Sequence, residues 1–171
     1  IEVAIYKIAA QFASLTGIAL LAINFIVGPK IAKEYNRNNM EEIQRYLSQG
    51  ALLVFICTLP IAAVFMIFGE SILEVLFGEE YRAGINVLRV LCMAHIINAM
   101  GGSVGVTLNM IGKEKATFSG MFVAMLANAV FCWLLIPLYG AIGAAYALLA
   151  SFIIWNSMLC WQLYKSTGLV T

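Results

Sequence analysis

Ala116–Tyr164 reads ATFSGMFVAMLANAVFCWLLIPLYGAIGAAYALLASFIIWNSMLCWQLY, without one Lys, Arg, Asp or Glu. A helix crossing the hydrocarbon core of a bilayer needs about 20 apolar residues. The stretch is too long for one crossing and long enough for two. Ile136-Pro137-Leu138-Tyr139-Gly140 divides it, because Pro and Gly punctuate helices and Tyr favours the membrane–water interface. The spacing predicts spans over 116–136 and 141–164.

Working back toward the N-terminus, three further uncharged apolar runs have the same length: 90–111, 46–68 and 8–27. The expected fold class is an all-α integral membrane domain with five transmembrane helices. Strands of a membrane β-barrel are shorter and alternate polar with apolar residues, which these runs do not. Composition agrees. Of 171 residues 63% are hydrophobic and only 11% charged, where a soluble domain carries about a quarter. Mean hydropathy is +0.93. A net charge of +1 gives no basis for nucleic-acid binding. Cys57, Cys92, Cys132 and Cys160 sit apart in apolar runs and read as small packing residues. The chain shows no initiator Met, signal peptide or lipidation motif, and reads as a segment of a longer protein.

Charge gives the spans a direction. Five crossings put Lys30, Lys33, Arg37, Arg45, Lys113, Lys115 and Lys165 on one side. They put Lys7, Arg82 and Arg89 on the other, with Glu2, Glu70, Glu74, Glu79 and Glu80. Basic residues collect on the cytoplasmic side, so the N-terminus of this segment is expected outside and its C-terminus inside. Two loops promise helices. Asn39 is placed to cap a helix, with Glu42 three residues on and Glu41 able to pair with Arg45. Met40, Ile43 and Leu47 share a face, predicting a helix along the inner surface that then turns into span two. On the outer side, residues 71–77 read as a short interfacial helix stopped by Gly78.

Few residues could do chemistry. The sequence has no Asp, no Glu lies inside a span, and His95 is the sole histidine. Metal centres, hydrolytic triads and cofactor sites have no residues to draw on, so none is assigned. The spans instead carry amides: Asn24, Asn98, Asn109, Asn128 and Asn156. A polar side chain in hydrocarbon must face protein or a water-filled cavity. These residues therefore either line a polar substrate path, with Asn24, Asn98, Asn109 and Asn128 as the candidates, or hydrogen-bond between helices. His95 is either a proton-coupling residue or an ordinary interfacial histidine. Gly101 and Gly105, four apart, allow close helix approach, as does Gly143 with its neighbouring alanines. Pro60, in mid-span, predicts a kink.

Several strings resemble one family. Leu134-Leu135-Ile136-Pro137-Leu138-Tyr139-Gly140-Ala141-Ile142-Gly143-Ala144-Ala145 is similar to the LIPxYGxxGAA turn of polysaccharide exporters and O-antigen flippases, with Asn128 fitting the same segment. Leu76-Phe77-Gly78-Glu79-Glu80-Tyr81 resembles their LFGxxY loop, Leu108-Asn109-Met110-Ile111-Gly112 their LNxxG turn, and Pro29-Lys30-Ile31-Ala32 their PxIA. The four occur in order along nearly the whole chain. The resemblance is to the multidrug/oligosaccharidyl-lipid/polysaccharide exporter superfamily. It implies two six-helix lobes, of which this chain supplies the last five helices. It also implies an undecaprenyl-pyrophosphate-linked oligosaccharide as partner, moved between leaflets by alternating access. The basic residues that such proteins present to pyrophosphate have no counterpart within these spans and are expected elsewhere in the protein. A drug/cation antiporter of the same superfamily, and a glycan-assembly enzyme or scaffold, are the alternatives. The first is disfavoured by the lack of an intramembrane acid, the enzyme by the lack of a large outer loop.

Overall fold

The computed structural model describes residues 2–170, in which helix is the sole regular secondary structure. Seven α-helices follow one another: α1 Glu2–Leu15, α2 Ile18–Asn36, α3 Met40–Phe77, α4 Ile85–Met100, α5 Val104–Met110, α6 Glu114–Tyr139 and α7 Ala141–Thr167. A 3-10 turn, Glu79–Gly84, joins α3 to α4. Four helical segments are long and apolar enough to cross a membrane, and the bent pair α1–α2 makes a fifth. In α6, large apolar side chains such as Phe118, Met121, Met125 and Trp133 stand exposed on the surface, which is stable only against an apolar surrounding.

The breaks differ from expectation. The helix starting after Asn39 does not lie separately along a surface. It runs through residues 46–68 and on to Phe77 without interruption, so the short helix at 71–77 is simply its end. At 1.5 Å per residue α3 is about 57 Å long, far more than a hydrocarbon core of about 30 Å. Periodicity over 40–47 signals an apolar face but says nothing about whether the chain bends at 47. Asn39 does cap α3, its Oδ1 accepting from the Glu42 N–H at 3.4 Å. Arg45 pairs with Glu42 at 3.4 Å rather than with the anticipated Glu41. The helix also continues through Pro60, which has no N–H to offer the carbonyl of Ile56.

Two runs expected as single helices are broken instead. Residues 8–27 divide at Thr16-Gly17, where the axis bends by 42°. Residues 90–111 divide at Gly101–Ser103 between α4 and α5. Gly102 takes φ +56°, a conformation costly for a side chain, and a Cβ there would lie 2.8 Å from the Ala51 Cβ and 3.0 Å from its Cα. Gly140, at φ +59°, alone separates α6 from α7, whose first helical turns meet the carbonyl of Leu135 at Gly143. Pro137 is tolerated two residues before the end of α6.

Position along α3 shows where the breaks fall. Ile43 and Leu47 belong to one buried cluster with Val27, Ile31, Val104, Leu108, Leu159 and Leu163. Ala62, Phe65 and Leu73 belong to another with Ala9, Ala13, Leu88, Leu91 and Ala145. Between them Ala51 meets Gly102, and the Thr58 hydroxyl donates to the Thr16 carbonyl at 3.3 Å. Both breaks therefore lie against the middle of α3, which supplies a hydrogen bond to one, at Thr16, and a close backbone contact to the other, at Gly102. The His95 ring fills the notch beside Gly17, where a Cβ would lie 3.3 Å from Nδ1.

Candidate functional site

The bundle has a basic end, with Lys30, Lys33, Arg37, Arg45, Lys113, Lys115 and Lys165, and an acidic end around Glu70, Glu74, Glu79 and Glu80. At the basic end Glu34, nearly buried, accepts from Arg37 at 3.3 Å and from Asn39 at 3.2 Å, while Lys30 lies over the Tyr46 ring. At the acidic end Arg82 bonds Glu70 and approaches Glu74 to 3.9 Å. Neither network enters the bundle.

Inside, on the basic side of the breaks, a cavity of 240 Å³ is lined by Asn24, Asn98, Asn109, Thr117, Trp155 and Asn156, with Gly102 and Gly105 in its wall. Five helices contribute: α2, α4, α5, α6 and α7. The amides come together because Asn24 lies in the first half of α2, Asn98 lies near the end of α4 and Asn109 lies at the end of α5, while α7 runs alongside. Asn156 Nδ2 donates to Asn98 Oδ1 at 3.2 Å and to its own helix at the Phe152 carbonyl, 2.9 Å. Gly101 makes this pairing possible: a Cβ there would occupy the space of the Asn156 amide. Gly105 similarly admits Leu159 and Trp155. Asn24 Oδ1 and Thr117 Oγ1 are enclosed and accept no hydrogen bond among the described residues. Such orphaned groups cost about 1–3 kcal/mol each. None of the residues lining the cavity carries a charge.

Of the four candidates, then, Asn24, Asn98 and Asn109 share one cavity. Asn128 does not join them. It lies in an apolar groove with Met121, Met125, Leu148 and Phe152, where its Oδ1 receives the Cys132 Sγ at 3.7 Å. Pro60 and Gly143 stand apart from the cavity too. Thr117 and Trp155 were not singled out from sequence. Thr117 follows the charged turn, where a hydroxyl is unremarkable. Trp155 looks like any interfacial tryptophan until α7 is placed beside α5. Among the described residues, no cluster of three or more His, Cys, Asp or Glu side chains could hold a metal.

Comparison with known proteins agrees with this architecture. The protein named "Putative O-antigen transporter" of Shigella flexneri is 26% identical over 145 residues, covering 84% of this chain and 34% of that protein. "Probable low-salt glycan biosynthesis flippase Agl15" of Haloferax volcanii is 21% identical over 158 residues, 92% of this chain and 33% of the other. "Capsular polysaccharide biosynthesis protein CapF" of Staphylococcus aureus is 24% identical over 150 residues, 86% and 37%. The chain thus spans about a third of the length of these relatives. No solved structure gives a significant match. The family model that matches, MatE, covers residues 1–134, taking in both broken runs, the whole of α3 and most of α6, and on that match this multi-pass membrane chain belongs to the MatE family.

Proposed function

We propose that the chain is part of a flippase that carries lipid-linked oligosaccharide from the inner to the outer leaflet of a bacterial inner membrane, for assembly of a surface polysaccharide. The observation that carries this reading is the amide-lined cavity within an otherwise apolar bundle. A polar side chain within a span faces either protein or a water-filled cavity, and Asn24, its Oδ1 unpartnered, faces the cavity. The names of the three relatives place similar proteins in glycan export or synthesis. Seven basic residues at one end against three at the other support a cytoplasmic basic end, which makes the cavity part of the inner half of the membrane in this reading.

The remainder of the reading follows from these parts. Asn24, Asn98 and Asn109, with Asn156, line the path. Gly101 and Gly105 keep α4, α5 and α7 close. The mid-bundle breaks are the points about which the two halves of a span change their relative tilt as access alternates, since helices interrupted at mid-membrane are a common feature of transporters. The chain acts as one part of a two-lobe, twelve-helix transporter that makes and breaks no covalent bond. The undecaprenyl pyrophosphate is held by cationic residues outside this chain. A cation antiporter would want a carboxylate in the cavity, and none lines it.

Deleting the gene tests the reading. The expected result is accumulation of lipid-linked repeat units facing the cytoplasm and loss of the surface glycan. Unchanged surface glycan and an unchanged lipid-linked pool would refute it.

A further inference from the structure

Resting on that reading and deepening it, we infer that the cavity among α2, α4, α5, α6 and α7 binds the sugar part of the carried lipid. It takes one neutral, hydroxyl-rich ring and leaves the pyrophosphate to other sites. The argument is one of chemical matching. An anion is held by Lys, Arg or converging N–H groups, and a cation by carboxylates; the cavity wall has neither kind of side chain. It does have four carboxamides and a threonine hydroxyl. Each amide both donates and accepts, as does each hydroxyl of a sugar, so the two sets match without desolvating a charge.

Three further details point the same way. Asn24 Oδ1 and Thr117 Oγ1 lack partners, and a turn of either side chain directs them at a ligand hydroxyl. Asn156, by contrast, spends its donors on Asn98 and Phe152, so the Asn98–Asn156 pair is a fixed edge rather than an adaptable one. Trp155 gives the wall an indole, a flat apolar face suited to the C–H face of a pyranose, and polar groups that fix orientation inside an apolar pocket are the usual design of a small-molecule site. A cavity of 240 Å³ has room for one ring and not for several.

The test uses the full-length transporter in nanodiscs and three probes. These are the host's lipid-linked oligosaccharide, undecaprenyl pyrophosphate without sugar, and the oligosaccharide released from its lipid. Wild type should bind the first most tightly. Asn109→Ala and Asn24→Ala should each weaken binding of the glycan-bearing lipid and of the free oligosaccharide by about tenfold, the worth of one well-made hydrogen bond, and leave undecaprenyl pyrophosphate unchanged. Neither variant endangers the fold: Asn109 makes no side-chain hydrogen bond among the described residues, and Asn24→Ala removes an orphaned oxygen, so its thermal stability should hold or rise. Equal weakening for both lipids, or none for either, overturns the inference. So does free oligosaccharide binding as tightly as the lipid-linked form, which would make a soluble sugar the ligand. Wild type that binds neither lipid, in a strain whose deletion keeps its surface glycan, sinks the flippase reading itself. Wild-type discrimination that the variants leave untouched sinks only the site.

Discussion

Leu88 and Leu91 are fully buried against Ala9, Ala62 and Phe65, in a region where Phe12 meets Phe65 and Phe77 edge-on. On the other side of the helix breaks, Leu108 and Leu159 are just as deeply buried, yet they share their region with a cavity and four amides. The two halves share α3 and α7 and the same kinds of apolar side chain, with α1 and α4 completing the acidic half and α2 and α5 the basic one. They differ in where the polar hollow stands: in the acidic half it lies at the outer end, beside Glu2, Asn86 and Tyr139, with the core beneath it apolar, and in the basic half it lies between the helices themselves. Alanine lets helices pack dry, whereas the Gly101–Gly105 segment interrupts a helix and lets an amide of α7 reach α4. Without a hydrophobic drive between helices in lipid, such close packing supplies most of the stability. On the proposed function, the acidic half is the scaffold and the basic half the working part.

The largest expected effect on stability comes from hollowing the scaffold. Leu88→Ala should cost about 2–5 kcal/mol, seen as a lowered unfolding temperature in detergent, with transport per folded molecule unchanged. A proportional loss of transport would erase the distinction between the halves. Gly101→Val should cost about 1–3 kcal/mol by overpacking, because the added side chain displaces the Asn156 amide. Here transport should fall further than folded yield, as counted by surface-glycan recovery in a deletion strain. Asn156→Leu removes one interhelical hydrogen bond, worth about 0.6 kcal/mol on average in membranes, so the protein should remain folded while glycan recovery drops at least tenfold. Arg82→Ala, which breaks exposed pairs to Glu70 and Glu74, should cost under about 1 kcal/mol and leave transport alone.

The apolar runs were legible because a span is a matter of length and charge, both visible in the sequence. Where a run breaks was not. Thr16-Gly17 and Gly101-Gly102 are ordinary in composition, and their geometry depends on Thr58, Ala51 and His95, which come from other helices. The same reason explains the mixed outcome for the amides. Asn24, Asn98, Asn109 and Asn128 are alike in sequence, each a single carboxamide in an apolar run. Only packing shows that three converge and that Asn128 faces away, against Cys132. Continuity through Pro60 was already part of the expected span 46–68; what the sequence did not show was that the same helix reaches back to Met40 and on to Phe77.

The division into a dry scaffold and a wet working half can be measured directly by thiol accessibility in the full-length transporter. In a background with Cys57, Cys92, Cys132 and Cys160 replaced, single cysteines go in at Asn24, Asn98, Asn109 and Asn156, and for comparison at Leu88 and Leu91. A small, charged, membrane-impermeant thiol reagent reacts only where water reaches. The account predicts labelling at the four asparagine positions, reduced by lipid-linked oligosaccharide, and none at the two leucines. Asparagine positions that stay unlabelled, or leucine positions labelled equally fast, would contradict it.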